Sequence, residues 1–241
     1  IFKCINMPFS KVVFFNQVVG ELFYQLALEL SSKFKLGGIV IYGNICKRDK
    51  NLELKNKLKA YKSFPYRRHS NISRLISWAF YCLDVTRYLF LLRKKDLLII
   101  SSNPPILQIW IFLYLYLRKI PYIILIYDIY PEILVSRNYL KSKNIIVRIW
   151  SLLNKKIYDN AYKVVTISNG MYKAIYKNYS LNKKNIEVIM PWSDLNKIKP
   201  LSKKLNPYFS KFVKKGSFVV FYSGNMGSAH DIETILKAAL M

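Results

Sequence analysis

Two segments of the 241-residue sequence carry residues suited to moving a proton or holding a phosphate. In the first, Asp128 and Glu132 bring two of only 13 acidic residues together, directly after the apolar run at residues 122–127. A carboxylate at the end of a buried parallel strand lies where open α/β folds bind ligands, and it can act as a general base toward a hydroxyl. The alternative is that Asp128 or Glu132 only caps the helix that follows.

The second segment, residues 222–231, places two glycines with the spacing G-x-x-G between an apolar run and a helical pattern. Glycine lets backbone N–H groups approach a phosphate closely, and the N-terminus of a helix favours an anion. The segment is neither a Walker A loop nor the G-x-G-x-x-G dinucleotide motif. An ordinary tight turn between a strand and a helix is the alternative, and the spacing leaves both interpretations open.

Other polar candidates are weaker. The turn at residues 101–105, Ser-Ser-Asn-Pro-Pro, could line the same crevice as Asp128, or it could be a rigid turn whose prolines start a helix. Gly20, which opens the first helical pattern, is equally ambiguous. His69 and His230 lack a second ligand at suitable spacing, so we expect no metal site.

The composition is hydrophobic and strongly basic. Hydrophobic residues make up 52% of the chain, which excludes intrinsic disorder, and 39 Lys and Arg against 13 Asp and Glu give a net charge of +26. This surplus favours a surface that faces an anionic bilayer or a phosphate-bearing substrate. Nucleic acid is a third candidate, but no RNA- or DNA-binding motif supports it, so we expect none.

A basic loop around residues 47–74 is the predicted interfacial segment, because Phe64, Tyr66 and Trp78 lie among its cations. A solvated face with ordinary hydrophobic anchoring is the alternative. The three cysteines stand far apart with no C-x-x-C spacing, which is typical of reduced thiols in a cytoplasmic protein: Cys4, Cys46 and Cys82.

Apolar runs alternate with helical patterns over most of the chain. Residues 97–101 and 122–127 are predicted strands, buried on both faces, and the helix predicted at 106–118 joins them in a βαβ unit. That helix is too short to cross a membrane. A parallel α/β sheet is therefore predicted. It continues through strands at 38–42, 163–167 and 186–190 and helices at 20–34, 72–93 and 141–160, with a loop at 47–71.

The chain divides into unequal parts. We predict a Rossmann-like domain over residues 1–190, a linker with three prolines over 191–216, and the start of a second domain over 217–241. In that last part we expect a strand at 217–222 and a helix from 231. The chain starts with Ile and stops inside a helical pattern without a capping residue, so we expect a fragment cut at both ends, without a signal peptide.

Taken in order, these segments resemble the family 4 glycosyltransferases, in particular the bacterial enzymes of capsule, O-antigen and colanic-acid assembly. The matching segments are the Asn-Pro-Pro turn, Asp-Ile-Tyr-Pro-Glu at 128–132, and residues 161–171, 188–194 and 222–231. The resemblance implies a GT-B architecture of two Rossmann-like domains, the first for the acceptor and the second for a nucleotide-sugar donor. It implies no catalytic metal and no cofactor, because the nucleotide sugar is a substrate.

The implied reaction is retaining hexosyl transfer from a nucleotide diphosphate sugar to a lipid-linked or polysaccharide acceptor of the cell surface. The implied location is the inner face of the cytoplasmic membrane. The resemblance gives Asp128 the role of catalytic base and places Asn103 and Glu132 in the acceptor site. It also implies four donor-binding residues. Gly224, Asn225 and Gly227 belong to the loop near the diphosphate, and Gly20 opens the first helix on the other wall of the cleft.

The sequence departs from the family at both ends. In residues 1–19 the usual first strand is unclear, because Lys-Val-Val-Phe-Phe at 11–15 replaces the familiar Pro-rich approach. The basic residues and E-x7-E acid pair of the donor site would follow Met241, so we expect no turnover from this chain alone. Two rival functions stay open: a non-catalytic α/β module that docks on a membrane or partner, and a GT-B nucleotide-sugar epimerase.

Overall fold

A computed structural model describes residues 9–33, 37–45, 58–182, 185–193, 198–214, 216–224 and 231–240. The chain forms two compact units, Ile1–Trp192 and Ser193–Met241. Several residues that the sequence singled out lie outside the described ranges: Cys4, Cys46, Asn225, Gly227 and His230, together with residues 47–57 of the basic loop.

A parallel sheet of seven strands forms the centre of the first unit. In chain order the strands are β1 (Lys11–Phe15), β2 (Val18–Val19), β3 (Gly37–Tyr42), β4 (Asn44–Ile45), β5 (Leu58–Lys62), β6 (Asp96–Ser101), β7 (Tyr122–Ile126), β8 (Lys163–Thr166) and β9 (Ile186–Val188). The large sheet has the order β5-β3-β1-β6-β7-β8-β9, and β2 pairs with β4 beside it. The order reverses between β1 and β6, which is the Rossmann arrangement. The predicted parallel, Rossmann-like α/β fold is confirmed.

The first strand lies inside the sheet, between β3 and β6, although the sequence left it unclear. Phe14 pairs with Val40 of β3 on one side and with Ile99 of β6 on the other. Phe14 and Phe15 are both fully buried, on opposite faces of the sheet. A short run that is apolar on both faces is what a central parallel strand requires.

The loop predicted over residues 47–71 is wrong at residues 58–62, which form β5. This strand pairs in parallel with β3, from Leu58 opposite Gly38 to Lys62 opposite Tyr42. It lies at the edge of the sheet, and only Leu58 is buried, whereas Lys59, Tyr61 and Lys62 are exposed. Edge strands tolerate such charged residues. The sequence of β5 therefore lacks the alternation of apolar and polar residues that predicts a strand.

Helices cover both faces of the sheet. They are α1 (Glu21–Lys33), α2 (Asn71–Leu89), α3 (Leu107–Arg118), α4 (Glu132–Ser136), α5 (Ile145–Asn160) and α6 (Asn169–Tyr179). The core under α1 contains Phe14, Phe23 and Leu97, whereas the core on the other face contains side chains of α2, α3, α5 and α6. The helix predicted at 72–93 ends four residues early, because the chain turns after Leu89.

The regular elements of the second unit are all helical among its described residues. It contains a 3₁₀ turn (Lys203–Leu205), α7 (Pro207–Phe212) and α8 (Ile232–Ala239). The helix predicted from 231 is confirmed, and the Asp231 carboxylate caps it by accepting from the Thr234 backbone N at 3.1 Å. The strand predicted at 217–222 is not formed, and Phe218 and Phe221 are 94% and 82% exposed. A strand needs a paired neighbour, and no described residue pairs with this segment.

No helix in the described ranges has the length and hydrophobicity needed to cross a membrane.

Candidate functional site

Three loops meet at the carboxyl edge of the sheet, where the strand order reverses. The backbone N of Gln17, after β1, donates to the carbonyl oxygen of Asn103, after β6, at 3.0 Å. Asp128 follows the neighbouring strand β7. Since all these strands are parallel, their ends lie at one edge, and this switch point is where such folds bind ligands. The structure therefore brings Asn103 and Asp128 to one edge, as the sequence predicted.

The hydroxyl of Ser102 fixes the backbone that carries Asp128. Its Oγ accepts from the backbone N of Tyr127 at 3.0 Å and from that of Asp128 at 3.2 Å. Ser102 is buried, whereas Asp128 is exposed. The Asp128 carboxylate accepts no hydrogen bond from any residue that the structure describes. Its oxygens are therefore available to solvent and to a ligand.

Helix capping does not account for either acid. Helix α4 has Pro131 at its N-cap, and no side chain caps it. The capping alternative raised for Asp128 and Glu132 is therefore wrong. Glu132 is the first residue of α4, and its Oε1 accepts from Nδ2 of Asn178 at 3.1 Å.

Asp128 and two arginines all act on the pKa of Tyr130. Burial raises the pKa of Tyr130, and the Asp128 carboxylate raises it further, whereas the guanidinium groups of Arg74 and Arg137 lower it. The Nε of Arg74 is buried and has no hydrogen-bond partner among the described residues. The surroundings of this tyrosine thus combine one carboxylate with two guanidinium groups. Such groups can hold a phosphate while the carboxylate faces a hydroxyl.

Sequence reasoning did not assign Arg74 and Arg137 to this site. Arg74 lies in the first turn of α2, and Arg137 directly follows α4, so only the fold brings them to the same tyrosine. Arg74 was noted only as part of the basic loop. The available signal was that both arginines flank segments already singled out.

A buried amide network supports the turn at Tyr130. Asn154 of α5 is fully buried, and its Nδ2 donates to the carbonyl oxygen of Tyr130 at 2.6 Å. Gln108 of α3 donates in turn to Oδ1 of Asn154 at 2.9 Å. Burial raises the pKa values of Tyr158 and Tyr179 beside this network, and the Glu132 carboxylate adds to the effect. Glu132 thus lies on the supporting side of the turn, where its Oε2 is buried.

Packing does not require glycine at the two predicted donor-binding glycines that the structure describes, Gly20 and Gly224. Gly20 precedes α1, and a Cβ added there would meet no atom within 4 Å, so packing does not require glycine. A Cβ at Gly224, in the second unit, would meet the Tyr222 hydroxyl at 3.7 Å, which is an ordinary contact. The donor-binding roles of Gly20, Gly224, Asn225 and Gly227 therefore stay predictions.

An apolar cavity of about 400 Å³ lies on the α1 side of the same edge. Its walls include Leu22, Leu26, Tyr127 and Trp192, and Nε1 of Trp192 donates to Oε1 of Gln25 at 2.8 Å. Burial raises the pKa of the Tyr127 hydroxyl to about 12. This cavity could hold an apolar or aromatic group.

The described ranges contain no cluster of three or more His, Cys, Asp or Glu side chains that could hold a metal ion. Cys82 is buried, and burial raises the pKa of its thiol to about 12. A protonated, buried thiol is a poor nucleophile.

Comparisons with known proteins found two proteins named as glycosyltransferases. No protein-family model matches the chain. A solved structure of a glycosyltransferase from Rickettsia africae ESF-5 matches 80% of this chain and 47% of its own, with 16% identity and a TM-score of 0.39. This chain is 28% identical over 146 residues to the probable glycosyltransferase WbjE of Pseudomonas aeruginosa, a match that covers 61% of this chain. The chain is thus homologous to a protein named as a glycosyltransferase, and it spans 36% of that relative's length.

Proposed function

We propose that this chain carries the acceptor-binding domain of a glycosyltransferase. The enzyme moves a hexose from a nucleotide diphosphate sugar to a lipid-linked or polysaccharide acceptor in cell-surface glycan synthesis. The observation that carries the proposal is the exposed Asp128 carboxylate at the switch-point edge of a Rossmann-like sheet. The homology with WbjE supports transferase chemistry. The capsule or O-antigen role rests on the resemblance in the motifs.

Asp128 acts as the base toward the acceptor. Its carboxylate takes the proton of the acceptor hydroxyl while that oxygen bonds to the anomeric carbon. The bond from the anomeric carbon to the donor phosphate breaks, and the nucleoside diphosphate leaves with the electron pair. A positioned general base of this kind contributes roughly 10² to 10⁴ in rate.

The two arginines favour a phosphate-bearing acceptor. Arg74 and Arg137 lie near the same tyrosine as Asp128, and guanidinium groups bind phosphate oxygens in pairs. A sugar linked to lipid through pyrophosphate would place its phosphates on the arginines and its hydroxyl toward Asp128. A neutral polysaccharide would leave these cations without a ligand.

The remaining assignments follow the motifs. Gly20 and Asn103 line the cleft on the side of this domain, Glu132 supports the acceptor turn, and Gly224, Asn225 and Gly227 contact the donor diphosphate. Transfer needs no metal ion and no cofactor. The enzyme is peripheral on the inner face of the cytoplasmic membrane.

A donor panel tests the proposed function. The complete gene product is incubated with bacterial membrane extract and radiolabelled UDP- and GDP-sugars, and organic extracts are analysed for labelled glycolipid. We expect one donor to give labelled product and an equal amount of free nucleoside diphosphate. Free UDP without a glycoside would favour the epimerase, and an absence of nucleotide binding by calorimetry would favour a non-catalytic module.

A further inference from the structure

The outward faces of α2 and α3 expose large apolar side chains in helical register. Leu75, Phe80 and Leu83 on α2 and Trp110, Leu113 and Leu117 on α3 are between 50% and 68% exposed. Single exposed apolar residues are normal on protein surfaces, whereas a contiguous set marks an interface. We call this set, with Phe90 after α2, the helical face.

The two helices form one continuous surface. Nε1 of Trp110 on α3 donates to Oγ1 of Thr86 on α2 at 3.0 Å. Farther along, the ring of Phe90 packs against that of Tyr114 with 5.6 Å between centroids. The two exposed apolar stripes are therefore held side by side.

Cations lie at both ends of the helical face. Each helix leads from the carboxyl end of one parallel strand to the amino end of the next, so α2 and α3 run in the same direction. Their last turns are followed at one end by residues 93–95, Arg-Lys-Lys, and by Arg118 and Lys119, all of them exposed. At the other end, Arg67 and Arg68 precede the first turn of α2 and are also exposed.

Acidic residues are scarce beside these cations. In α2 the only acid is Asp84, whose Oδ1 lies 3.0 Å from the Arg87 guanidinium, and α3 contains none. The helical face therefore combines an apolar, aromatic centre with basic ends. This is the composition of protein surfaces that lie in the interface of an anionic membrane.

We propose that the helical face docks on the surface of an anionic phospholipid bilayer. Its apolar side chains enter the boundary between headgroups and acyl chains, and the flanking cations meet lipid phosphates. The charge pattern selects this occupant over a second copy of the chain, because two like faces would bring their basic ends together. The proposal rests on the peripheral membrane location in the proposed function and names the surface that makes the contact. It can fail independently of the proposed activity, since lipid binding requires no sugar transfer.

The helical face differs from the interfacial loop predicted around residues 47–74. In the structure, Arg67 and Arg68 of that loop lie at the border of the helical face. The guanidinium carbon of Arg67 lies 5.4 Å from the centroid of the Phe64 ring. The apolar contact area comes instead from α2 and α3.

Vesicle flotation tests the apolar contribution. We expect the chain to float with vesicles of phosphatidylglycerol and phosphatidylcholine and to remain unbound with phosphatidylcholine alone. Leu113→Glu should lower the bound fraction at least about tenfold, because it removes an exposed leucine that would enter the bilayer and puts a charge in its place. Tyr139→Glu is the matched control, since Tyr139 is 62% exposed against 64% for Leu113 but lies after α4. Circular dichroism confirms that both variants fold.

The electrostatic contribution has its own variant. Lys94→Gln with Lys95→Gln should weaken binding to the anionic vesicles about fivefold per cation and reduce its dependence on salt. Lys141→Gln with Lys143→Gln removes the same charge from an exposed segment before α5 and should leave binding unchanged. Equal losses from both pairs would overturn the proposed surface.

The depth of insertion can be read at single tryptophans. A variant that keeps only Trp110 should be quenched by brominated lipid, whereas one that keeps only Trp192, across the sheet beside α1, should not. Equal quenching of the two, absence of flotation, or a Leu113→Glu variant that floats like the wild type would overturn the proposal. Concentration-dependent dimerisation that Leu113→Glu abolishes, without flotation, would assign the face to a second copy instead.

Discussion

Asp96 and Asp128 are carboxylates at opposite edges of the same sheet: Asp96 begins β6, and Asp128 follows the neighbouring strand β7. Asp96 is completely buried at the amino edge, where Oδ1 accepts from Oγ of Ser10 at 2.6 Å. Its Oδ2 accepts from the Arg93 backbone N at 2.7 Å and lies 3.4 Å from Nζ of Lys11. Asp128 at the carboxyl edge is exposed and accepts no hydrogen bond in the described ranges.

The difference separates a folding role from a chemical one. A buried carboxylate with matched donors contributes to stability, and removing it leaves those donors buried without an acceptor. An exposed carboxylate on a fixed backbone contributes little to stability and is free to meet a ligand. The amino edge therefore carries a carboxylate that stabilises the fold, and the carboxyl edge carries one whose oxygens are open to a ligand.

The largest effect is expected at Asp128. The Asp128→Asn variant of the complete gene product should transfer sugar roughly 10² to 10⁴ times more slowly, because the amide cannot take the acceptor proton. Steady-state kinetics with the donor found in the panel gives this ratio. Asp159→Asn is the control, since Asp159 is a half-exposed acid paired with Lys155 on α5. A similar loss in the control would remove the special role of Asp128.

At the amino edge, Asp96→Ala should lower the free energy of unfolding by about 3 kcal/mol, since the Arg93 N–H and the Lys11 ammonium lose a buried partner. Urea denaturation followed by circular dichroism measures the loss. Asp159→Ala should change stability by less than about 0.5 kcal/mol, because its pair is a solvent-exposed one within a helix. Equal losses in the two variants would contradict the assigned role of Asp96.

Asn154 links the two roles, because it is buried yet supports the turn beside Asp128. Asn154→Leu should cost about 2 kcal/mol of stability and also slow transfer, since the Tyr130 carbonyl loses its donor. Ile157→Val on the same helix is the matched control, a buried change that costs about 1 kcal/mol. If both variants reduced kcat to the same degree, Asn154 would have only a structural role.

The smallest effects compare two serines. Ser102→Ala removes the acceptor of two backbone N–H groups at the carboxyl edge, and Ser10→Ala removes one donor to Asp96 at the amino edge. Each should lower stability by about 1 kcal/mol. Only Ser102→Ala should also lower kcat, because it loosens the backbone of Asp128. A loss of kcat in Ser10→Ala would contradict the assignment of the reaction to the carboxyl edge alone.

The strands that are buried on both faces of the sheet could be predicted from the sequence. Strands β6 and β7 are long runs that are apolar on both faces, so their positions and the place of Asp128 at the end of β7 could be read directly. Strand β5 was missed because an edge strand carries exposed lysines. The segment at 217–222 has the composition of a strand but no paired neighbour among the described residues. Composition alone does not supply that neighbour.

The cationic part of the candidate site could not be predicted. Arg74 and Arg137 belong to different elements far apart in the chain, and no local spacing connects them. The support from Asn154 was hidden for the same reason, because a lone asparagine in a helical pattern carries no signal of what its side chain contacts. Tertiary packing alone brings these groups to the turn at Tyr130.

The most direct test measures transfer rate per folded molecule for Asp96→Ala and Asp128→Asn in parallel, with the melting temperature of each preparation. We predict that Asp96→Ala melts at a lower temperature but transfers sugar at the wild-type rate while it is folded. Asp128→Asn should keep the wild-type melting temperature and lose at least about 100-fold in rate. Transfer by Asp128→Asn at the wild-type rate would contradict the assignment of the carboxyl edge as the site of the reaction.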